Sequence, residues 1–259
     1  MKSITIWLGS LLALMCITGV QAADMAKANV MRVYTDTVAP ADQAAYEAGV
    51  KSYNQCLSQH GFNVRWIALN HETGNTYSYS YVSDPVTWAG FDSMRATGKA
   101  CDAIWQSAAN PHLQSETSSF LTVMPEMSHM PKGSMDLGTG LIGISFTTLK
   151  NGHDTYEAYV NAVKKITAAA TKSNWPGYYM TSEVDGGDVG APDFILAWPA
   201  KDWADYGMDI NPPFWKMVES VYGKKEASTL RKTLNDAVKE RSSHIDSYNA
   251  DLTYTPAGK

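Results

Sequence analysis

The sequence predicts an α+β protein built from two βαββαβ units in tandem. The same order of strand-like and helical segments occurs twice, and a segment with two prolines and three glycines separates the two copies. Self-similarity over about half of a chain defines its architecture before any single residue is interpreted. We predict the first unit at residues 29–124, a linker at 125–140 and the second unit at 141–256.

Periodicity gives the elements of the first unit in order. Strands alternate between apolar and polar residues, whereas the first helix repeats Tyr46, Val50, Tyr53 and Leu57 along one face. Glycine, asparagine and proline mark the breaks between elements. The predicted elements are a strand at 31–38, a helix ending at Gly61, strands at 62–69 and 76–82, a helical region to Pro111 and a strand at 118–124.

The second unit repeats this order with a longer second helical region. A strand is predicted at 141–146, followed by a helix with apolar residues at Tyr156, Val160, Val163 and Ile166. Strands at 178–183 and 194–198 flank a glycine-rich turn, and one more helix is predicted over 226–240. The unit ends also match: residues 252–256 (LTYTP) resemble residues 121–125 (LTVMP), so we expect them to correspond.

The first 22 residues have the pattern of a secretory signal peptide. Lys2 precedes an apolar run at 4–17 that is too short to span a bilayer, and small residues follow up to the predicted cleavage site after Ala22. Met15, directly before Cys16, is too large for lipoprotein processing. We therefore expect a periplasmic or secreted protein with no membrane span after the signal is removed.

Net charge and cysteine content limit the possible partners and crosslinks of the protein. The net charge is −5, which argues against nucleic-acid binding because a polyanion requires a basic surface. Cys56 and Cys101 remain after processing, and an even pair in an oxidising compartment is a candidate disulfide. Two buried free thiols or a metal-binding pair are the alternatives.

The element order resembles that of the dimeric α/β-barrel superfamily, particularly its NIPSNAP-like and antibiotic-biosynthesis-monooxygenase-like members. Each unit opens its second helix with Trp-x-x-aromatic, at Trp88 and Phe91 and again at Trp203 and Tyr206. The resemblance implies two ferredoxin-like sheets that form one pseudo-dimeric α/β barrel. A sheet covered by helices on one side leaves its other face unburied, and a second copy can cover it. The barrel interior is then a candidate small-molecule site.

An aromatic stripe is the first candidate ligand site. Tyr77, Tyr79 and Tyr81 alternate with Ser78, Ser80 and Val82 on one predicted strand, and Phe194, Leu196 and Trp198 repeat the aromatic phase in the second unit. If the aromatic face points inward, it would bind a small apolar or aromatic molecule. The alternative is that these residues form core beneath the helices. The predicted ligand-binding residues are Arg65, Trp66, His71, Tyr79, Tyr81, Tyr179 and Trp198.

A methionine-rich segment is a second candidate site. Met124, Met127, His129 and Met130, with Met135 close behind, offer thioether and imidazole ligands that suit Cu(I). A periplasmic copper-binding protein is therefore one alternative function. The competing interpretation is that these methionines fill gaps in the packing.

An oxidoreductase is the remaining alternative, either cofactor-independent and monooxygenase-like or dependent on haem. Two-repeat relatives within the superfamily include haem-binding chlorite-dismutase-like and dye-decolourising-peroxidase-like proteins, in which a histidine ligates iron. The resemblance nominates His112 and His244, which precede the last strand of each unit. The sequence contains no His-Glu-x-x-His and no Gly-x-Ser-x-Gly motif, so it disfavours zinc proteases and serine hydrolases and leaves the catalytic residues unidentified.

Overall fold

The computed structural model of the protein describes residues 28–130 and 140–257. It confirms an α+β fold in which eight antiparallel strands close into a barrel, with helices packed against the outside. The predicted signal peptide and Met135 lie outside the described residues. No helix within the described ranges combines the length and the apolar character needed to cross a bilayer.

The first half of the barrel follows the predicted order. Thr87 caps the second helix, where its hydroxyl accepts a hydrogen bond from the Gly90 N–H at 3.0 Å. Short helical turns at 99–112 then lead to a last strand that starts at Leu113, five residues before the predicted start. The elements are β1 (Val30–Val38), α1 (Gln43–Gln59), β2 (Trp66–His71), β3 (Ser78–Ser83), α2 (Trp88–Gly98) and β4 (Leu113–Val123).

The second half has the longer helical region that its sequence predicts. The helix expected at 226–240 is the second part of a longer helix that changes direction at Gly223, where φ is +82°, and the chain becomes a strand at Val238. The elements are β5 (Leu141–Leu149), α3 (His153–Ser173), β6 (Met180–Gly186), β7 (Phe194–Ala200), α4 (Trp203–Tyr206), α5 (Phe214–Ala237) and β8 (Val238–Tyr254).

Strand order is the same in the two halves. Around the barrel, β4-β1-β3-β2 is followed by β8-β5-β7-β6, and the pairs β2–β8 and β4–β6 close the ring. Leu121 lies opposite Met31 and Asp246 lies opposite Ile142, so Leu121 and Asp246 hold corresponding places. The predicted match of residues 252–256 with 121–125 is therefore wrong in register. It fails because β8 continues past Asp246 to pair with the start of β2.

The two faces of the sheet bury different kinds of side chain. On the outer face, Tyr79 and Tyr81 pack with Tyr46 and Val50 of α1, and Phe194 packs with Tyr159 of α3. On the inner face, apolar residues from both halves pack against one another across the barrel, which forms a closed floor. The buried floor residues are Met31, Ile67, Leu69, Leu121, Val123, Ile142 and Ala197.

A disulfide links the first helix to the turns after the second. Cys56 Sγ and Cys101 Sγ are 2.08 Å apart, so the predicted pairing is confirmed and the metal-pair alternative is wrong. Cys101 is completely buried, which places the bridge within the packed interface between α1 and the 99–112 segment. A crosslink closing a loop of this length stabilises a protein by about 4 kcal/mol in the chain-entropy model.

Asp36 is a buried carboxyl at the interface between the sheet and α1. Tyr46 donates a 2.5 Å hydrogen bond to its Oδ2, and the Tyr81 hydroxyl lies 2.9 Å from that of Tyr46. Burial raises the pKa of Asp36 from its ordinary value to about 7, and the neighbouring carboxylate of Glu116 adds to the effect. A carboxyl whose folded pKa is raised binds more protons folded than unfolded, so stability falls as pH rises from about 4 to about 7.

We predict that Asp36→Asn removes this pH dependence. Asparagine keeps the shape and still accepts the Tyr46 hydrogen bond, but it carries no charge to desolvate. At each pH, the unfolding free energy of the variant is compared with that of wild type. This difference should favour the variant by about 1–3 kcal/mol more at pH 7.5 than at pH 4.5, since one pKa unit is worth about 1.4 kcal/mol. Urea titrations at the two pH values measure this. The exposed Asp251→Asn is the control, and equal pH profiles for Asp36→Asn and wild type would contradict the prediction.

Candidate functional site

A cavity of about 320 Å³ lies at one end of the barrel, mainly on the β4–β6 side. Four successive antiparallel pairings separate β2 from β6, so these strands run in the same direction and their following turns lie at the same end of the barrel. The cavity is at this end, where the turn at 187–192 borders it. Its wall residues on the strands include Val33, Thr35, Thr117, Ser119, Phe146, Val184 and Ile195.

Three polar side chains meet next to this cavity, at the pairing of β2 with β8. His71, at the end of β2, stacks on His244 of β8 with ring centroids 4.4 Å apart. The Asp246 carboxylate lies beside both rings: its Oδ1 is 3.2 Å from His244 Nε2 and 3.9 Å from His71 Nε2. We call these three residues the His–Asp cluster. They come together because β2 and β8 are neighbours and their side chains point to the same face.

The His–Asp cluster is buried and its carboxylate is poorly satisfied. The side chain of Asp246 is fully buried, and those of His71 and His244 are 8% and 18% exposed. Neither carboxylate oxygen of Asp246 has a hydrogen-bond donor among the described residues, since the contact with His244 has unfavourable geometry. Burial lowers the pKa of His71, while the nearby charge of Asp246 opposes this shift. The lowered pKa favours the neutral form of His71, in which one ring nitrogen carries a lone pair.

Two contacts join the His–Asp cluster to the cavity wall. His71 Nε2 lies 2.8 Å from Ser80 Oγ, which lies 3.1 Å from Thr35 Oγ1 on the wall. On the other side, Phe146 packs against His244 with ring centroids 5.1 Å apart. A molecule in the cavity would therefore meet the hydroxyl of Thr35, with Ser80 and His71 behind it, on one side and apolar side chains, including Ile195 and Val184, on the other.

The corresponding positions on the opposite seam are mostly apolar. The β4–β6 pairing closes the barrel in the same way as β2–β8, and strand register relates the two seams residue by residue. Register places Val184 where the first seam has His71, Ile195 where it has Ser80, Ser119 where it has His244, and Leu121 where it has Asp246. Because the barrel closes with apolar residues at these places, the fold itself does not require a buried histidine–carboxylate cluster.

The structure corrects most of the predicted aromatic pocket. Tyr79, Tyr81, Tyr179 and Trp198 lie on the outer face of the sheet beneath the helices, so the alternative of ordinary core is the right one. Their hydroxyls bond to helix residues: Tyr79 donates to Glu47 of α1, and Tyr179 lies 2.8 Å from Thr167 of α3. Ser78, Ser80 and Val82 occupy the inner face instead.

The other three residues of the predicted pocket lie at different places. Trp66 is on the outer face, where it stacks on Tyr53 and packs against Tyr254. Arg65 precedes β2, and its backbone carbonyl accepts a hydrogen bond from the Asp84 N–H at 2.8 Å. Of the seven predicted residues, His71 is the one that the structure places beside the barrel cavity.

The residues near the two nominated histidines do not fit a haem. His244 Nε2 lies 3.2 Å from Asp246 Oδ1, and its ring is packed against His71 and Phe146, which leaves no room for a macrocycle at that nitrogen. His112 lies on the outer side of the sheet, with Nδ1 3.4 Å from Asp42 at the start of α1. The two histidines are also not equivalent, because Ser119 holds the place of His244.

In the methionine-rich segment, the proposed copper ligands make other contacts. Met127 is fully buried against Leu149 and Phe194, with Met124 packed at the edge of the same cluster. His129 Nε2 lies 2.9 Å from the Trp175 carbonyl oxygen. Met130, the next residue, is half-buried. These contacts support the gap-filling interpretation of the segment.

Comparisons with known proteins identify the fold. No family model and no curated protein matches the chain. Among solved structures, a candidate monooxygenase from Lactobacillus acidophilus has a TM-score of 0.51 at 13% identity, covering 87% of this chain and 95% of its own. An anthrone oxidase-like protein has a TM-score of 0.51 at 9% identity, covering 90% and 96%. A candidate monooxygenase from Fusobacterium nucleatum scores 0.50 at 13% identity, covering 85% and 91%. The chain has the dimeric α/β-barrel fold.

Asp246 is the site residue that the sequence analysis missed. His244 and Asp246 are two positions apart, so on a strand they share one face. The sequence carries this signal, but the helix predicted to residue 240 and the match of residues 252–256 with 121–125 leave residues 241–251 without an element. Recognising β8 as one long strand would have placed both side chains together.

We predict that Asp246→Asn stabilises the protein in buffer containing a chelator. A buried carboxylate without donors is more costly than a buried amide of the same shape, by about 1–3 kcal/mol. The free energy of unfolding from urea titration should rise by that amount. The matched control is Leu121→Asn at the corresponding place, which should lower it by about 3 kcal/mol because it inserts an unsatisfied amide into the apolar floor. A loss of stability in Asp246→Asn would contradict the prediction.

Proposed function

We propose that the protein binds a small organic molecule, mainly apolar with one polar edge, in the barrel cavity. The observation that carries this proposal is the two-sided wall: Val184 and Ile195 line one side, and the hydroxyls of Ser80 and Thr35 lead to His71 on the other. A cavity of about 320 Å³ is within the usual range for small-molecule sites, which are mostly apolar with a few convergent polar groups.

Anthrone is a suitable probe, because a structure of the same fold is named as anthrone oxidase-like. It is a planar aromatic ketone with one polar edge, as the cavity requires. We expect saturable binding of one anthrone per chain in equilibrium dialysis. Anthracene, which has the same shape without the carbonyl, should bind about tenfold or more weakly because the polar wall is then left unpaired.

Filling the cavity tests its location. Ile195→Trp places a large side chain on the apolar wall and should weaken anthrone binding by at least about tenfold, at a packing cost of about 1–3 kcal/mol. Ile210→Trp makes the same change at an exposed position and is the control. Equal affinities in wild type and Ile195→Trp would place any binding elsewhere and contradict the proposal.

An oxidoreductase acting on the bound molecule is the second candidate function. The observation that favours it is the His–Asp cluster beside an apolar cavity, and two of the structures with this fold are named as candidate monooxygenases. The barrel would exclude water while the polar side holds the reacting group of the substrate.

Oxygen consumption measures this activity. We expect the wild type to consume dioxygen with anthrone faster than buffer alone, and Asp246→Asn to lose about 100-fold of that rate if the cluster moves a proton or holds an ion. A chelator separates the two routes, because a cofactor-independent reaction is insensitive to it. Wild-type consumption no faster than buffer would remove this candidate.

We further propose that the two halves are tandem ferredoxin-like copies, related to NIPSNAP-like or antibiotic-biosynthesis-monooxygenase-like proteins, and that the protein is exported. The equal strand order supports the first point, and the disulfide between Cys56 and Cys101 supports the second, since such bridges persist in oxidising compartments.

A further inference from the structure

We propose that His71, His244 and Asp246 form a binding site for one divalent transition-metal ion. One potential ligand atom from each of the three side chains lies within 4.8 Å of the other two. Asp246 Oδ1 is 3.2 Å from His244 Nε2 and 3.9 Å from His71 Nε2. With metal–ligand distances of about 2.0–2.2 Å, neighbouring ligand atoms are about 3.0–3.5 Å apart. The cluster therefore needs to contract by roughly 1 Å to hold an ion.

The ligand types define the class of ion. Two imidazoles and one carboxylate on one side of an ion leave its other positions open, as in non-haem iron sites, and zinc also accepts three such ligands. Ca²⁺ and Mg²⁺ prefer oxygen ligands, so the two nitrogens disfavour them. Ser80 lies between the cluster and Thr35 of the cavity wall, so it is the side chain nearest to the open positions on that side. Ser80 would give up its contact with His71 Nε2 and keep the one with Thr35.

The burial of Asp246 gives an independent reason for a cation. Both carboxylate oxygens are buried and lack hydrogen-bond donors among the described residues. A buried carboxylate in a protein is normally paired with a charge, hydrogen-bonded or coordinated to a metal. No Lys or Arg ion pair with Asp246 occurs in the part of the chain that the structure describes. A metal ion would supply the missing positive charge.

Among the residues that the structure describes, this set of ligands occurs once, because the opposite seam has no ligands at the corresponding places. Val184 and Leu121 stand where His71 and Asp246 stand in the first seam, and neither can ligate a metal. One other cluster of possible ligands occurs within residues 28–130 and 140–257, formed by Cys56, His60 and Cys101. Its two sulfurs are joined in the disulfide and are not available as thiolates.

The proposed metal site lies at the site of the oxidoreductase candidate and extends that proposal. Its evidence is the three side chains and not the cavity. A resident ion would polarise or activate a bound molecule at the polar wall. Metal binding can be measured without any organic ligand, so the two proposals fail separately. Ile195→Trp should lose anthrone and keep the metal, whereas Asp246→Asn should lose the metal and keep measurable anthrone binding.

Co(II) titration of the tag-free, chelator-stripped protein tests the proposal. Co(II) reports coordination through visible ligand-field absorption, and we expect one ion per chain by both absorption and equilibrium dialysis. His71→Ala, His244→Gln and Asp246→Asn should each weaken binding by more than the roughly 10–100-fold that loss of an outer-shell partner costs. His112→Ala is the matched control, because His112 also lies beside a carboxylate, that of Asp42, but on the outside of the barrel.

The outcomes are distinguishable even if one variant folds poorly. Circular dichroism and thermal unfolding identify such a variant, and His244→Gln and Asp246→Asn preserve side-chain size. Binding lost in the cluster variants and retained in His112→Ala supports the proposal. No bound Co(II) in folded wild type, or equal affinity in wild type and folded cluster variants, overturns it.

Discussion

Mutual burial of two sheet faces is the constraint on which the rest of the structure depends. Helices cover one face of each four-stranded half, and the other face is removed from water only when β2 pairs with β8 and β4 pairs with β6. Closure leaves no free strand edge and brings apolar residues from both halves into one floor. The surroundings of a side chain on the inner face therefore depend on both halves of the chain.

Apolar burial in the floor offsets the cost of burying the polar side chains of the His–Asp cluster. Met31, Ile67 and Ile142 pack in the closed part of the barrel. Asp246 lies opposite Ile142 at the border of this floor, and His71 and His244 lie beside it. A buried carboxylate without donors weakens the fold, and proteins commonly tolerate such groups where function needs them. The apolar counterparts Val184 and Leu121 show that the same barrel accommodates a more stable choice at equivalent places. This contrast is the main reason to regard the cluster as functional.

The outer face explains why an aromatic stripe is a poor guide to a ligand site. Tyrosine has an apolar ring and a polar end, so it can fill the space under a helix while its hydroxyl reaches a helix side chain. Tyr79 reaches Glu47 in this way, and Tyr46 on α1 reaches Asp36 on β1. These hydrogen bonds fix the position of α1 on the sheet.

The sequence by itself determined the order of the elements and offered Cys56 and Cys101 as a candidate pair. These depend on local periodicity, on turn residues and on the two cysteines that follow the predicted signal peptide. Tertiary structure alone decided which sheet face is inside, because an alternating strand has two faces of equal period and only helix packing distinguishes them. It also decided that His71 meets His244 and Asp246. Those residues lie on strands far apart in the chain, and only the closing pair β2–β8 brings them within reach of one another.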